Sequence, residues 1–146
     1  MQAWRICREP YADLTGEGAR LWGGRWNSAG QPLVYAADAA ALAVLEVRVH
    51  LDLSWDLLPP DYVLLTLDLG PARIERVSVL PSDMVAFGDA WLEAQRTAVR
   101  RVPSVIVPES TSILVNPRHP EAALVAIADR RPFAFDERLW SGERGP

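Results

Sequence analysis

Residues 32–53, with the sequence PLVYAADAAALAVLEVRVHLDL, contain a short apolar strand followed directly by a helix. The strand covers Pro32–Ala37, and Asp38 is a suitable N-cap for a helix that runs to about Leu53. At 100° per residue this helix is apolar on nearly every side, and Glu46 lies on a face whose neighbours are mostly apolar. The segment therefore predicts a strand and a helix that place one carboxylate in an apolar stripe.

Upstream of this pair, the chain begins with a strand and continues into an irregular segment. Ala3 to Arg8 alternates apolar and polar residues and stops at Pro10, which cannot donate a backbone hydrogen bond. Thr15 to Gly30 holds five of the nine glycines and two tryptophans. Because so long an irregular segment is usually functional or disordered, and tryptophans argue against disorder, we expect a functional loop there.

Downstream, the pattern is rich in short strands. Tyr62 to Leu69 and Arg73 to Val79 predict two strands joined across a Gly-Pro turn, which could pair as a hairpin. Asp89 is a candidate N-cap for a second helix through about Arg101. Further short apolar runs bounded by prolines follow, at Ser104 to Val107, Ser112 to Val115, Leu124 to Ala128 and Pro132 to Phe135.

This order of elements favours the α+β class. Strands and helices do not alternate regularly, as a Rossmann-type chain requires, so we expect a mixed β-sheet core with a few helices. The length of 146 residues and the 49% hydrophobic content fit one domain over residues 1–146, with residues 140–146 frayed.

Composition excludes several chemistries. All fifteen basic residues are arginines, which excludes Schiff-base catalysis, pyridoxal phosphate anchoring and the Walker A loop. One cysteine and two histidines cannot form an internal disulfide or a Cys/His zinc cage, so no metal is expected. A formal charge of -4 disfavours direct nucleic-acid binding, and no apolar stretch or leader predicts a membrane span, so we expect a cytoplasmic protein.

Familiar catalytic motifs are also missing. No Gly-x-Ser-x-Gly elbow occurs, and Gly23-Gly24 lacks the spacing of a dinucleotide fingerprint. Cys7 lies in an apolar strand and is expected to be a buried structural thiol. What remains is a set rich in arginine and aromatic residues that suits a phosphorylated nucleotide: Arg5, Arg20, Arg25, Trp26, Asn27, Tyr35 and Glu46.

Each member of this set also has an ordinary structural interpretation. Glu46 fits a core carboxylate paired with a neighbouring arginine or with His50, and Arg25 fits a surface arginine. Trp22 and Trp26 fit core residues, and Tyr35 and Ser104 fit ordinary strand positions. Taken singly, these residues leave both interpretations open.

Taken together, several blocks of the chain closely resemble the RES domain family, from Trp4-Arg5 to about Leu139. The blocks occur in order as GAR at 18–20, GGRWN at 23–27, LVYAA at 33–37, the helix with Glu46, VPS at 102–104 and NPRHP at 116–120. The resemblance implies a fold like the split β-core of ADP-ribosyltransferases and an activity that consumes NAD. It also implies the toxin half of a bacterial toxin-antitoxin module whose partner is an Xre-type DNA-binding antitoxin.

The same resemblance assigns site residues. Arg25, Glu46 and Ser104 match the Arg, Glu and Ser for which the family is named, and Tyr35 and Arg5 match residues of the NAD pocket. The resemblance thus implies catalytic roles for Glu46, Arg25 and Tyr35. It implies NAD binding by Arg5, Arg25, Trp26, Asn27, Tyr35 and Ser104.

The reaction that the resemblance implies is cleavage of the nicotinamide glycosidic bond. A fixed carboxylate can stabilise the positive charge that develops on the ribose, and Glu46 is the candidate. The acceptor of ADP-ribose stays open between inorganic phosphate, water and a protein side chain. A different class also stays open, a non-catalytic module that binds a nucleotide or a partner.

Overall fold

A computed structural model describes residues 1–143. Seven strands form its sheet: β1 (Gln2–Arg8), β2 (Val34–Ala37), β3 (Tyr62–Asp68), β4 (Ile74–Arg76), β5 (Val99–Pro103), β6 (Thr111–Val115) and β7 (Ala126–Pro132). The α-helices are α1 (Glu17–Trp22), α2 (Ala40–His50) and α3 (Met84–Ala94). Short 3-10 helices cover Glu9–Tyr11, Trp55–Leu57, Pro120–Leu124 and Glu137–Glu143. The predicted α+β class is confirmed.

The sheet runs in the order β4-β5-β6-β2-β1-β3-β7, and it is almost divided in the middle. β1 pairs with β3 along its whole length, and β2 pairs with β6 along its whole length. β1 and β2, by contrast, meet at the single pair Trp4 and Ala37. The two halves therefore separate between β1 and β2, as the predicted split sheet requires.

Apolar residues on alternating strand positions build the core on both faces of the sheet. In β6, Ile113 packs in the cluster that includes Leu65 and Val99, whereas Leu114 packs in the cluster that includes Trp91 of α3. Leu42 and Ala43 attach α2 to the face that carries Ile6 and Leu64. This packing places one side of α2 directly over the split. No helix among the described residues has the length and apolar character to cross a bilayer.

The segment around α1 and α2 differs in detail from the sequence prediction. Thr15 to Gly30 is not wholly irregular, because it contains the short helix α1. The N-cap of α2 is Ala39 rather than Asp38, and α2 ends at His50, before Leu53. The Asp38 carboxylate instead accepts hydrogen bonds from the backbone and hydroxyl of Thr111, at 2.9 and 3.0 Å, and so links β2 to β6.

The predicted hairpin of residues 62–79 is wrong. Both edges of β3 are already paired, with β1 and β7, so β4 lies at the far end of the sheet and pairs in parallel with β5. The predicted strand at Ser104 to Val107 is a turn that follows β5, since Ser104 accepts backbone hydrogen bonds within it. Long-range strand pairing decided the first outcome, and local hydrogen bonds to the Ser104 side chain accompany the second.

The second predicted helix was placed too late in the chain. The N-cap is Asp83, whose carboxylate accepts from the Ala86 backbone at 3.0 Å, and the helix ends before Gln95, which has a φ of 52°. The residues expected to finish the helix, Val99 to Arg101, form β5 instead, where Val99 and Val102 are fully buried. Burial of β-branched residues in the sheet thus overrides their helical spacing.

The C-terminal boundary of the fold was also misplaced. Trp140, expected at the start of a frayed tail, is 1% exposed and donates from Nε1 to the Leu53 carbonyl at 2.9 Å. Its ring packs edge-on against Trp55 and Phe135. Residues 144–146 of the expected tail lie outside the described residues.

Candidate active site

A cavity of about 490 Å³ opens where the sheet divides. β1, β2, α2 and the segment from Gly18 to Trp26 form its walls. Five of the residues singled out from the sequence line it: Arg5, Arg25, Trp26, Tyr35 and Glu46. The division of the sheet therefore brings together residues that are far apart in the chain.

Glu46 lies on the side of α2 that faces this cavity. Its Oε1 accepts hydrogen bonds from the hydroxyls of Ser104 at 2.8 Å and Ser112 at 3.2 Å. The expected alternative, a core carboxylate paired with an arginine or with His50, is not what the structure contains. Among the described residues no donor contacts Oε2, so one carboxylate oxygen is held by hydroxyls while the other is free for a ligand.

Ser104 is the more firmly placed of the two hydroxyls. Its side chain has no exposed surface, and its Oγ accepts from the backbone of Ile106 at 3.1 Å and Val107 at 3.2 Å. Because two N–H groups occupy the acceptor side of Oγ, the hydroxyl proton is directed at Glu46. Ser104 does not line the cavity, whereas Ser112 does.

Ser112 was not identified from the sequence, which only placed it in a strand. It pairs with Ala37 on one side and with Val102 on the other, so its position depends on both ladders of β6. The signal in the sequence was a hydroxyl at the start of the apolar run Ser112 to Val115. The role of this hydroxyl depends on Glu46 of α2 lying within hydrogen-bond distance, and the local sequence pattern does not encode that contact.

Tyr35 fixes the loop that follows α1. Its hydroxyl accepts from the Trp26 backbone at 2.8 Å and donates to Oδ1 of Asn27 at 2.6 Å. A Cβ at Gly24 would lie 2.6 Å from this hydroxyl, so the close approach requires glycine. Burial raises the pKa of Tyr35 well above its ordinary range, so the phenol stays neutral and keeps donating.

Asn27 and Trp26 support the loop from inside. The Asn27 amide donates to the carbonyls of Ala19 and Gln31, both at 2.9 Å, and the residue is 1% exposed and does not line the cavity. Trp26 is 2% exposed, so the core interpretation holds for it even though it also borders the cavity. Its ring packs with Trp91 and lies 6.4 Å from that of Phe87.

Two arginines supply positive charge at the cavity. Arg5 Nη1 donates to the Tyr35 carbonyl at 3.1 Å, and its Nε is buried without a hydrogen-bond partner among the described residues. Nη2 of Arg25 lies 3.4 Å from Nε2 of His50. Neither guanidinium is paired with a carboxylate in the described part of the chain. Arg20 differs, because it forms an ion pair with Glu17 on α1 and does not line the cavity.

Two further lining residues have other roles. Cys7 is buried, as predicted, and burial raises the pKa of its thiol, so it is not an activated nucleophile. Trp22, expected in the core, is 78% exposed at the rim of the cavity. Among the described residues, no cluster of three or more His, Cys, Asp or Glu side chains could hold a metal ion.

Comparison with known proteins agrees with this architecture. The model of the RES domain family matches residues 2–136. The Prs ADP-ribosylating toxin of Sphingobium sp. (strain YBL2) is 38% identical over 154 residues, covering 93% of this chain and 94% of that protein. Toxin Res of Pseudomonas putida (strain KT2440) is 37% identical, covering 96% of this chain and all of that protein.

A solved structure shows the same fold. The crystal structure of the M. tuberculosis MbcT-MbcA toxin-antitoxin complex contains a chain that matches 98% of this chain with a TM-score of 0.77. The match covers 88% of that chain at 20% sequence identity. At this identity the likeness establishes the fold.

Proposed function

The chain belongs to the RES domain family, and we propose that it is the toxin of a bacterial toxin-antitoxin system that cleaves NAD and transfers ADP-ribose to an acceptor. The name of the Sphingobium relative supports an ADP-ribosylating activity. The observation that carries the proposal is the Glu46 carboxylate, which two serine hydroxyls hold. It shares its cavity with two arginines that have no carboxylate partner in the described part of the chain.

In the proposed reaction, the bond between ribose C1'' and the nicotinamide nitrogen breaks, and its electron pair leaves with nicotinamide. The pyridinium thereby becomes neutral, and positive charge develops on the ribose. The free oxygen of Glu46 stabilises that charge, more strongly in a partly water-excluded cavity than in water. An acceptor lone pair then forms the new bond to C1''. Water or a protonated side chain releases its proton to solvent after the bond forms, whereas an anionic phosphate oxygen has none to release.

The residues of the cavity fit NAD as a substrate. Diphosphate oxygens accept readily from guanidinium groups, and no carboxylate of residues 1–143 competes for those of Arg5 and Arg25. The buried Nε of Arg5, which has no hydrogen-bond partner within those residues, is a donor that a bound anion would satisfy. The volume of about 490 Å³ lies within the range of ordinary ligand sites.

Three residues assigned to NAD binding by resemblance support the site indirectly. Asn27 and Ser104 are buried behind the cavity wall, and their hydrogen bonds hold Tyr35 and Glu46. Trp26 is buried in the cluster that includes Trp91 of α3. We therefore propose that these residues are positioning residues, whereas Arg5, Arg25, Tyr35 and Glu46 face the substrate.

Three forms of this function differ in the molecule that accepts ADP-ribose. Inorganic phosphate would give ADP-ribose 1''-phosphate, water would give ADP-ribose, and a protein side chain would carry the ADP-ribosyl group. We place modification of a protein first, because the Sphingobium relative is named for it. Phosphate remains chemically compatible with two arginines at the cavity.

The test is the product profile of the purified protein with NAD, with and without phosphate and with and without cell extract. Glu46→Gln keeps an oxygen that can accept from both serines, so it should fold normally and lose about 10²–10³-fold in nicotinamide release. Glu93→Gln, a matched change on the exposed surface of α3, should turn over NAD like the wild type.

The outcomes separate the classes. Release that requires phosphate indicates phosphorolysis, and label on an extract protein indicates transfer to a target. Absence of nicotinamide release with retained NAD binding would identify the non-catalytic module. Full activity in folded Glu46→Gln would contradict the role of the carboxylate.

An antitoxin partner follows from the same proposal. The matching structure is a toxin-antitoxin complex, and we propose that an Xre-type DNA-binding antitoxin covers the cavity of this chain in the cytoplasm. Expression of the chain alone should arrest growth, and co-expression of the antitoxin should restore it. Growth arrest that persists in Glu46→Gln would show that NAD turnover is not the cause of the toxicity.

A further inference from the structure

Trp22 is the one exposed aromatic among the cavity-lining residues of the described chain. The aromatic residues that line the cavity are Trp4, Tyr11, Trp22, Trp26 and Tyr35. Trp26 is buried in the core and Tyr35 is committed to two hydrogen bonds of the loop. Trp22, in contrast, is 78% exposed. An exposed indole that lines a cavity offers a large apolar face that a bound ligand can bury.

The backbone holds Trp22 in this exposed position. Trp22 is the last residue of α1, and the next residue, Gly23, has a φ of 73° and donates from its N–H to the Ala19 carbonyl at 2.8 Å. The start of α1 is equally constrained, because a Cβ at Gly16 would lie 2.5 Å from the Leu33 nitrogen. The backbone of α1 is therefore constrained at both ends, and Trp22 lies at the rim of the cavity with most of its indole exposed.

The cavity wall carries groups that suit the different parts of a dinucleotide. Glu46 supplies a carboxylate, whose Oε1 accepts hydrogen bonds from Ser104 and Ser112. His50, one helical turn and about 6 Å further along α2, lies against Arg25. Trp22 ends α1, three residues before Arg25, and both residues line the cavity. The cavity wall thus carries a carboxylate, a guanidinium and an exposed indole.

A dinucleotide has a partner for each of these three groups. With its glycosidic carbon at Glu46 and its diphosphate at Arg25, the second nucleoside of the substrate extends toward Trp22. We propose that the indole of Trp22 stacks on the adenine base of NAD and thereby sets substrate affinity. This inference rests on the proposed function, and it assigns Trp22 to binding, not to the chemical step.

Kinetics of Trp22→Ala and Trp22→Phe test the assignment. Loss of a stacked base by alanine substitution typically weakens binding by about tenfold or more. We expect Trp22→Ala to raise KM for NAD about tenfold with kcat little changed, and Trp22→Phe, which keeps an aromatic face, to stay near the wild type. Val79→Ala, a change at an equally exposed apolar residue away from the cavity, should leave both constants unchanged.

A spectroscopic measurement reports the stacking directly. ADP-ribose added to Glu46→Gln should quench tryptophan fluorescence, and the quenching should fall in the double variant with Trp22→Phe. A purely structural role of Trp22 would not produce this difference. Unchanged KM in Trp22→Ala, or equal quenching with and without Trp22, would overturn the inference.

The experiment separates this inference from the proposed function. If the wild type releases nicotinamide while Trp22 variants keep the wild-type KM, only the role of Trp22 fails. If the wild type releases no nicotinamide, the proposed function fails, and calorimetry with ADP-ribose then decides the role of Trp22. An affinity about tenfold weaker in Trp22→Ala supports the stacking role, and an equal affinity overturns it.

Discussion

The Ser104 hydroxyl lies 2.8 Å from Oε1 of Glu46, although 58 residues separate the two in the chain. Ser104 directly follows β5 and Glu46 lies on α2, so this bond joins the end of the strand to the helix at the cavity. It leaves the second carboxylate oxygen of Glu46 without a donor among the described residues. The relationship explains how a carboxylate in an apolar stripe keeps its orientation.

Ser104→Ala and Ser112→Ala should differ in their effects. Ser104→Ala removes the acceptor of two backbone N–H groups and a donor to Glu46, so we expect a loss of about 1–3 kcal/mol in unfolding free energy as well as lower kcat. Ser112→Ala removes only the longer bond to Glu46 and should lower kcat with little loss of stability. Urea denaturation and nicotinamide release measure both. Equal stability losses in the two variants would contradict this assignment.

Tyr35→Phe should loosen the loop that carries Arg25. It leaves the buried Trp26 N–H and Asn27 Oδ1 without a partner, which costs about 1–3 kcal/mol, and it should raise KM for NAD. Tyr62→Phe is the control, because the Tyr62 hydroxyl makes no hydrogen bond in the described structure. Denaturation midpoints and steady-state kinetics provide the comparison. A Tyr35→Phe protein as stable as the control would show that the hydroxyl does not hold the loop.

Gly88→Ala should destabilise the protein strongly. A Cβ at Gly88 would lie 1.8 Å from the Trp26 carbonyl oxygen, so α3 must move away from the loop, at a cost of about 3 kcal/mol or more. Gly18→Ala, within α1, meets only the Tyr11 ring at 3.4 Å and should be neutral or slightly stabilising. Thermal unfolding tests the pair. Similar melting temperatures for both variants would refute the close contact of α3 with the loop.

The ion-pair cluster at β4 and β5 should make part of the stability depend on pH. Partial burial alone would raise the pKa of Glu75, but hydrogen bonds from Arg100 and Arg96 outweigh it and hold the pKa below its ordinary value of 4.5. Since the folded-state pKa is the lower one, this stabilisation is complete above the unfolded-state pKa. It is lost as pH falls through the folded-state value.

Glu75→Gln carries no charge at position 75 and so resembles the protonated Glu75 side chain at every pH. The variant should be less stable than the wild type at pH 7, and the difference should shrink as the pH is lowered below 4.5. Urea denaturation at a series of pH values measures it, with Glu93→Gln as the control. A difference that stays constant down to acid pH would exclude the titration of Glu75 as its cause.

Elements with strong local signals were predictable from the sequence. β1, β2 and β3 were found close to their observed bounds, because alternation and bounding prolines mark a strand locally. α3 was misplaced, because Asp89 and Asp83 both resemble an N-cap and only packing selects Asp83. The supposed hairpin of residues 62–79 failed for a related reason, since neighbouring strands in the chain need not pair when other strands occupy their edges.

The sequence by itself determined the family, the placement of Glu46 on a largely apolar helix, and the five predicted residues that line the cavity. Only the tertiary structure decided that Ser104 and Ser112 hold Glu46, and that Trp22 is exposed while Trp26 is buried. The spacing of apolar residues follows from backbone geometry within a few residues, so it can be identified in a single sequence. Hydrogen-bond partners and exposure depend on strand register and on the division between β1 and β2, which are set by contacts between distant segments.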